Sequence, residues 1–109
     1  SVQYMSAGTG VRHSEFNESD KDELRFIQIW IEPEKRGLKP QYGSQVFDLK
    51  DRLNKILQVV KGTNSQSDLN SCKVSIYQDA NVFVSEVEKD KQVNFNVKPN
   101  RKAYLLCIE

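Results

Sequence analysis

At 109 residues the chain is one ordinary domain or less, with mass for a modest core and little left over. Hydrophobic residues make up 38% and charged residues 28%, and 16 basic against 15 acidic side chains leave a formal net charge of +1. That balance supplies neither a basic field for nucleic acid nor an acidic one for cationic partners, and the longest apolar run, residues 103–108, is far too short to span a bilayer.

No charged-then-apolar leader opens the sequence, so a soluble, cytoplasmic protein is expected, and the non-methionine start is expected of a processed chain or an excised segment. Cys72 and Cys107 lack CxxC spacing and a secreted context, which predicts two thiols in strands rather than a disulfide.

Residues 5–16, MSAGTGVRHSEF, hold the only histidine of the chain, two positions before a glutamate. On a β-strand, residues two apart point the same way, so His13 and Glu15 would present an imidazole and a carboxylate side by side while Arg12 and Ser14 face away. That is the geometry of two metal ligands and equally that of a surface ion pair. Gly8 and Gly10 permit the close backbone approach such a strand needs at the rim of a barrel.

Residues 26–31, FIQIWI, are β-branched and aromatic, with Phe26, Gln28 and Trp30 on one face and Ile27, Ile29 and Ile31 on the other. Two largely apolar faces predict a central strand in which Trp30 belongs to the core. Pro33, Gly37 and Pro40 then stiffen and bend the connection leaving it. In residues 48–61, DLKDRLNKILQVVK, the apolar positions Leu49, Leu53, Ile56, Leu57 and Val60 fall at helical spacing, with Asp48 as a candidate N-cap and Gly62 as a stop. That spacing predicts a helix of about three turns; the β-rich LQVV at its end supports the rival of one helical turn near 48–54 running into a strand. Residues 63–71, TNSQSDLNS, are polar and aperiodic and read as a connecting surface loop.

Residues 73–78 alternate, residues 79–81 break the run and residues 82–87 resume it, which is the pattern of a hairpin or arch. Residues 92–97, QVNFNV, place Val93, Phe95 and Val97 inward, and Pro99 and Asn100 turn the chain into a last expected strand at 103–108. Residues 98–102, KPNRK, read as a solvated cationic turn without an acidic companion. Short strands separated by turns predict an all-β fold, an antiparallel sandwich or barrel with one short helix.

The opening residues carry a closer likeness. MSAGTGVRHSEFN, followed by FIQIWIEPEKRGLKPQY and VFD, resembles the second motif of the first cupin domain in bacterial pirin-like proteins, and KVSIYQDANVF resembles the start of the second cupin domain. The resemblance covers essentially the entire chain. It implies a cupin-type barrel, with residues 1–42 as the second half of an N-terminal cupin plus linker and residues 43–109 as the first part of a C-terminal cupin, or both as one compact unit. It also implies a mononuclear metal, usually iron, held by three histidines and a glutamate, in which His13 is the third histidine and Glu15 the carboxylate.

Here the sequence departs from the family pattern. The first two histidines of the family lie in a His-Pro-His stretch upstream of the matching region, and this chain has no second histidine. One imidazole and one carboxylate leave most of a coordination sphere to water, so iron or another divalent metal is expected to bind weakly or not at all.

Two functions follow from the resemblance. In the enzyme reading the chain is related to metal-dependent quercetin dioxygenases acting on a flavonol-like small molecule, with Glu15 as both ligand and catalytic base, and is inactive as this length of chain. The alternative is a non-catalytic, metal-linked protein-binding module of the kind of the pirin transcription cofactors. Strands cut from their neighbours predict self-association, as a dimer or as a swapped dimer in which each half finds its complement in the other copy. Neither nucleic acid nor a membrane is an expected partner.

Overall fold

A computed structural model describes residues 1–64 and 72–108 of the chain. Its elements are strands β1 (Val2–Ser6) and β2 (Gln41–Gln45), a single helical turn α1 (Leu49–Arg52), and strands β3 (Leu57–Val60) and β4 (Val82–Val84). They form two antiparallel pairs. In the first, Val2 lies opposite Gln45, Tyr4 opposite Gly43 and Ser6 opposite Gln41. In the second, Leu57 faces Val84, Gln58 faces Phe83 and Val60 faces Val82, with an irregularity in register between Gln58 and Val60. This is the all-β fold with one short helix that the sequence predicts, in partial form.

The helix stops after one turn for identifiable reasons. Its only complete i to i−4 bond is donated by the Leu53 amide to the Leu49 carbonyl, 2.9 Å, and the Asp48 side chain makes no cap. Asp48 instead lies 3.2 Å from Lys50, an exposed pair. Asn54 then adopts φ of 53°, a left-handed conformation that no helix continues through and that asparagine tolerates better than most residues. Its amide donates to the Glu86 carbonyl at 2.7 Å, its side-chain amide to Glu88 Oε2 at 2.6 Å, and its side-chain oxygen accepts from the Glu88 amide at 3.0 Å. The chain leaves this turn as a strand, so the short helix with the β-rich exit is correct and the three-turn helix, with Gly62 as its stop, is not.

The core is built on β3. Val59, 2% exposed, and Val60 are buried with Cys72 and Val74, and Val2, Tyr4, Phe47, Leu57, Ile76, Val82 and Val84 pack against them. β-Branched side chains on a short strand fit such a setting, because their restricted rotamers pack against both neighbours of the pleat. Beyond β3 the backbone pairs in parallel with the segment around Ser75: Lys61 donates to the Val74 carbonyl at 3.0 Å and accepts from the Ile76 amide at 2.9 Å. Residues 73–78 and 82–87 therefore do not pair with each other as a hairpin, one of the two expected forms, hairpin or arch. Each pairs with the segment at 57–61, which competes successfully because it brings the most buried apolar side chains.

Several expected strands are absent. Residues 26–31, 92–97 and 103–108 adopt no regular structure, and Trp30, expected in the core, is 86% exposed. A strand is stabilised by its neighbour's hydrogen bonds and by cross-strand side chains, and among the described residues these segments have no adjoining strand. Phe95 retains one partner, Phe83, with ring centroids 4.8 Å apart and tilted by 58°. The cationic turn also differs from expectation: Arg101 donates to Asp79 Oδ2 at 2.6 Å and to the Asp79 carbonyl at 3.3 Å. That acidic companion lies 22 residues upstream, outside any local pattern. No disulfide joins Cys72, which is buried, to Cys107, which is exposed, and neither lies in a strand. Most of the loop expected at 63–71 lies outside the described residues. Among the described residues, no helix is long and apolar enough to cross a membrane.

Candidate functional site

β1 delivers the chain to the His13 segment through a tight turn. The Gly10 amide donates to the Ala7 carbonyl at 2.7 Å, and Gly8 holds φ of 53°. A Cβ on Gly8 would collide with the Leu38 carbonyl oxygen and lie 2.6 Å from Pro40 N and 2.7 Å from the Lys39 carbonyl carbon. Glycine at position 8 thus allows the turn after β1 to lie against the backbone that enters β2. This is the close approach expected of the glycines, made at Gly8 but not at Gly10, which has open space where a Cβ would sit; it ties the base of the His13 segment to the β1–β2 pair.

Past the turn, residues 11–16 are irregular and exposed, so His13 and Glu15 stand in solvent off a segment that is not a strand. Downstream the segment is anchored by a side-chain-capped turn. Asn17 Nδ2 donates to the Asp22 carbonyl at 2.6 Å, Asn17 Oδ1 accepts from the Ser19 amide at 3.2 Å, and Ser19 Oγ accepts from the Asp22 amide at 2.9 Å. Asparagine and serine side chains close such turns by replacing backbone partners. His13 and Glu15 are therefore held between two turns while their own side chains remain accessible.

Whether these residues suffice for a metal can be judged from their donors. An imidazole nitrogen and a carboxylate oxygen suit a divalent transition metal. Among the described residues, however, no three His, Cys, Asp or Glu side chains converge to hold one ion. Two exposed donors do not make a closed site, and the described residues do not by themselves fit the mononuclear centre that the sequence likeness implies.

A concavity elsewhere in the structure is marked by no motif in the sequence. A cavity of about 430 Å³ lies between the β1–β2 pair and the segment after the core cysteine, lined by Tyr4, Tyr42, Ser44, Lys73 and Ser75 among others. The Tyr42 hydroxyl accepts from Gln3 Nε2 at 2.7 Å, and the Lys73 amide donates to Gln45 Oε1 at 2.8 Å. β2, with sequence QYGSQ, carries no apolar alternation that would have marked it as a strand. Neither His13 nor Glu15 lines this cavity.

Comparison with known proteins places both ends of the chain. The family model described as Pirin matches residues 1–31, and that described as the quercetinase C-terminal cupin domain matches residues 64–109. A Zymomonas mobilis protein is 35% identical over 105 residues, covering 96% of this chain and 43% of its own length. The quercetin 2,3-dioxygenase of Escherichia coli K12 is 31% identical over 107 residues, 98% of this chain and 43% of that protein. A pirin-like protein of Caulobacter vibrioides is 33% identical over 105 residues, again 96% and 43%. The chain thus spans under half the length of these relatives. No solved structure matches it.

Proposed function

Since the chain belongs to the pirin family, we propose that it is the middle portion of a protein related to metal-dependent quercetin dioxygenases, joining the end of one cupin to the start of the next. The observation that carries this reading is the continuous similarity to the E. coli quercetin 2,3-dioxygenase over 98% of this chain. In this reading residues 1–42 belong to the first cupin and residues 43–109 to the second. His13 and Glu15, inside the segment matched by the Pirin family model, are two donors toward iron or another divalent metal, and Glu15 is the candidate base toward a flavonol-like small molecule.

By itself the chain is catalytically silent on this reading, because two exposed donors cannot hold a redox metal through turnover. Isothermal titration with ferrous iron under reducing conditions is expected to show no stoichiometric site tighter than about micromolar. Anaerobic loading followed by addition of quercetin and air is expected to give no oxygen uptake above that of free iron. Tight one-to-one binding that His13→Ala abolishes would overturn the silent-chain reading and show that further donors complete the site.

A further inference from the structure

The two proposed cupin portions of the chain, residues 1–42 and 43–109, touch at two crossings that lead to the same core. The first is apolar. β1 lies in the earlier portion, but its partner β2 runs from Gln41 to Gln45, and Val2 and Tyr4 pack against Val59, Val60, Cys72 and Val74. Burying these side chains together ties the stability of β1 to that of β3.

The second crossing is polar and centres on Gln78. Its carbonyl accepts from the Thr63 amide at 3.1 Å, which fixes its backbone to the chain leaving β3. Its side-chain Oε1 accepts from the Asp79 amide at 2.8 Å, and Nε2 donates to the Glu32 carbonyl at 2.8 Å. A carboxamide carries its acceptor on one side and its donors on the other, so the Asp79 amide that holds Oε1 also aims Nε2 at Glu32. Beside it the Glu34 amide donates to the Tyr77 carbonyl at 2.7 Å, and Thr63 Oγ1 donates to Glu34 Oε2 at 3.2 Å. Gln78 and Glu32 are 46 residues apart. The chain entropy lost in closing so long a loop has to be met by these bonds acting together.

We propose that Gln78 is a clasp that fastens residues 32–34 to the core of the following portion, so that β1, residues 32–34 and β3 open as one cooperative unit across the division at residue 42. The inference takes that division from the proposed function and nothing from its metal donors. Iron titration and amide exchange have separate readouts, so either reading can fail alone.

Amide hydrogen exchange of the full chain, followed by NMR at increasing urea, tests the clasp. Cooperative units appear as groups of amides that converge on one opening free energy. The Glu34 amide and the β1 amides bonded to β2 are expected to converge with those of Lys61 and Ile76, which bond to each other's segments beside the core. In Gln78→Leu the Glu34 amide is expected to exchange roughly tenfold faster or more, and the Lys61 amide to change only by the shift in global stability read from the urea midpoint.

Convergence of Glu34 and β1 on a separate, lower opening free energy overturns the proposal, since the two portions would then open independently. So does a Glu34 amide that exchanges no faster in Gln78→Leu, or one already unprotected in the wild type. Should Gln78→Leu fail to fold, Gln78→Glu at pH 7 decides the clasp, because it keeps an acceptor for the Asp79 amide and loses only the donor to Glu32; the same acceleration at Glu34 is expected there. The wild-type convergence decides the cooperative unit in either case.

Discussion

Tyr4 shows at the scale of one residue how this small core handles a polar atom. Its ring packs against the Val59 cluster, while its hydroxyl is shut off from solvent without a hydrogen-bond partner among the described residues. Burial raises the phenol above its ordinary 10.0, opposed by the Ser6 side chain and aided slightly by Tyr77. An unsatisfied hydroxyl costs desolvation and returns little, so Tyr4→Phe is expected to lie within about 1 kcal/mol of the wild type in urea unfolding at pH 7, or above it. The pH dependence has a definite sign. Because the folded state holds the proton more tightly than the unfolded chain, stability is intact below 10.0 and is lost as pH rises through the raised folded value. Alkaline unfolding is thus expected to begin later in Tyr4→Phe than in the wild type, measured by circular dichroism; an identical alkaline limb in both proteins would contradict the burial of this phenol.

At the scale of elements, β3 and the crossing at Asn81 hold the second sheet together. Gln58 is 1% exposed, and its side-chain amide donates to Asn81 Oδ1 at 2.9 Å and to the Val60 carbonyl at 3.3 Å. Asn81 Oδ1 also accepts from the Gly62 amide at 3.0 Å. The backbones meet so closely here that a Cβ on Gly62 would strike the Gln78 carbonyl oxygen and lie 2.5 Å from the Ala80 oxygen. Asn81→Ala removes an acceptor shared by the Gln58 side-chain amide and the Gly62 amide and is expected to cost about 1–3 kcal/mol. Asn81→Asp keeps the acceptor and should cost less. Urea midpoints compared at constant slope would check both, and equal losses in the two variants would show that the acceptor is not what matters.

The same elements show what the sequence could and could not reveal. The one-turn helix and the strand after it were legible, because LQVV ends in two β-branched valines and follows the largely polar residues 50–55. The hairpin at 73–87 was not, because alternation marks which segments can be strands but not which strand each will join. β2 escaped notice for the opposite reason: QYGSQ is a strand through its partner β1 rather than through any pattern of its own. Asn54 carried no local mark of its role, since its partners Glu86 and Glu88 lie more than thirty residues away. At the candidate site, spacing put His13 and Glu15 two apart, but periodicity cannot say whether a strand exists to aim them.

For the whole molecule, the accessible area of 9754 Å², against about 6,200 Å² for a compact monomer of the same mass, bears on cooperativity. The area released on unfolding is the difference between an extended chain, about 18,300 Å² for this mass, and the 9754 Å² of the folded one. That release is about 0.7 of what a compact monomer of the same size would show. Because the denaturant slope follows the area exposed, the urea m-value at dilutions where the monomer prevails is expected to be about 0.7 of that of an ordinary domain of this length. The four buried apolar residues around β3 then carry most of the transition, and segments without a partner strand, such as 26–31 and 103–108, contribute little to it. A full-sized slope in dilute solution would mean that the chain closes over its own apolar segments.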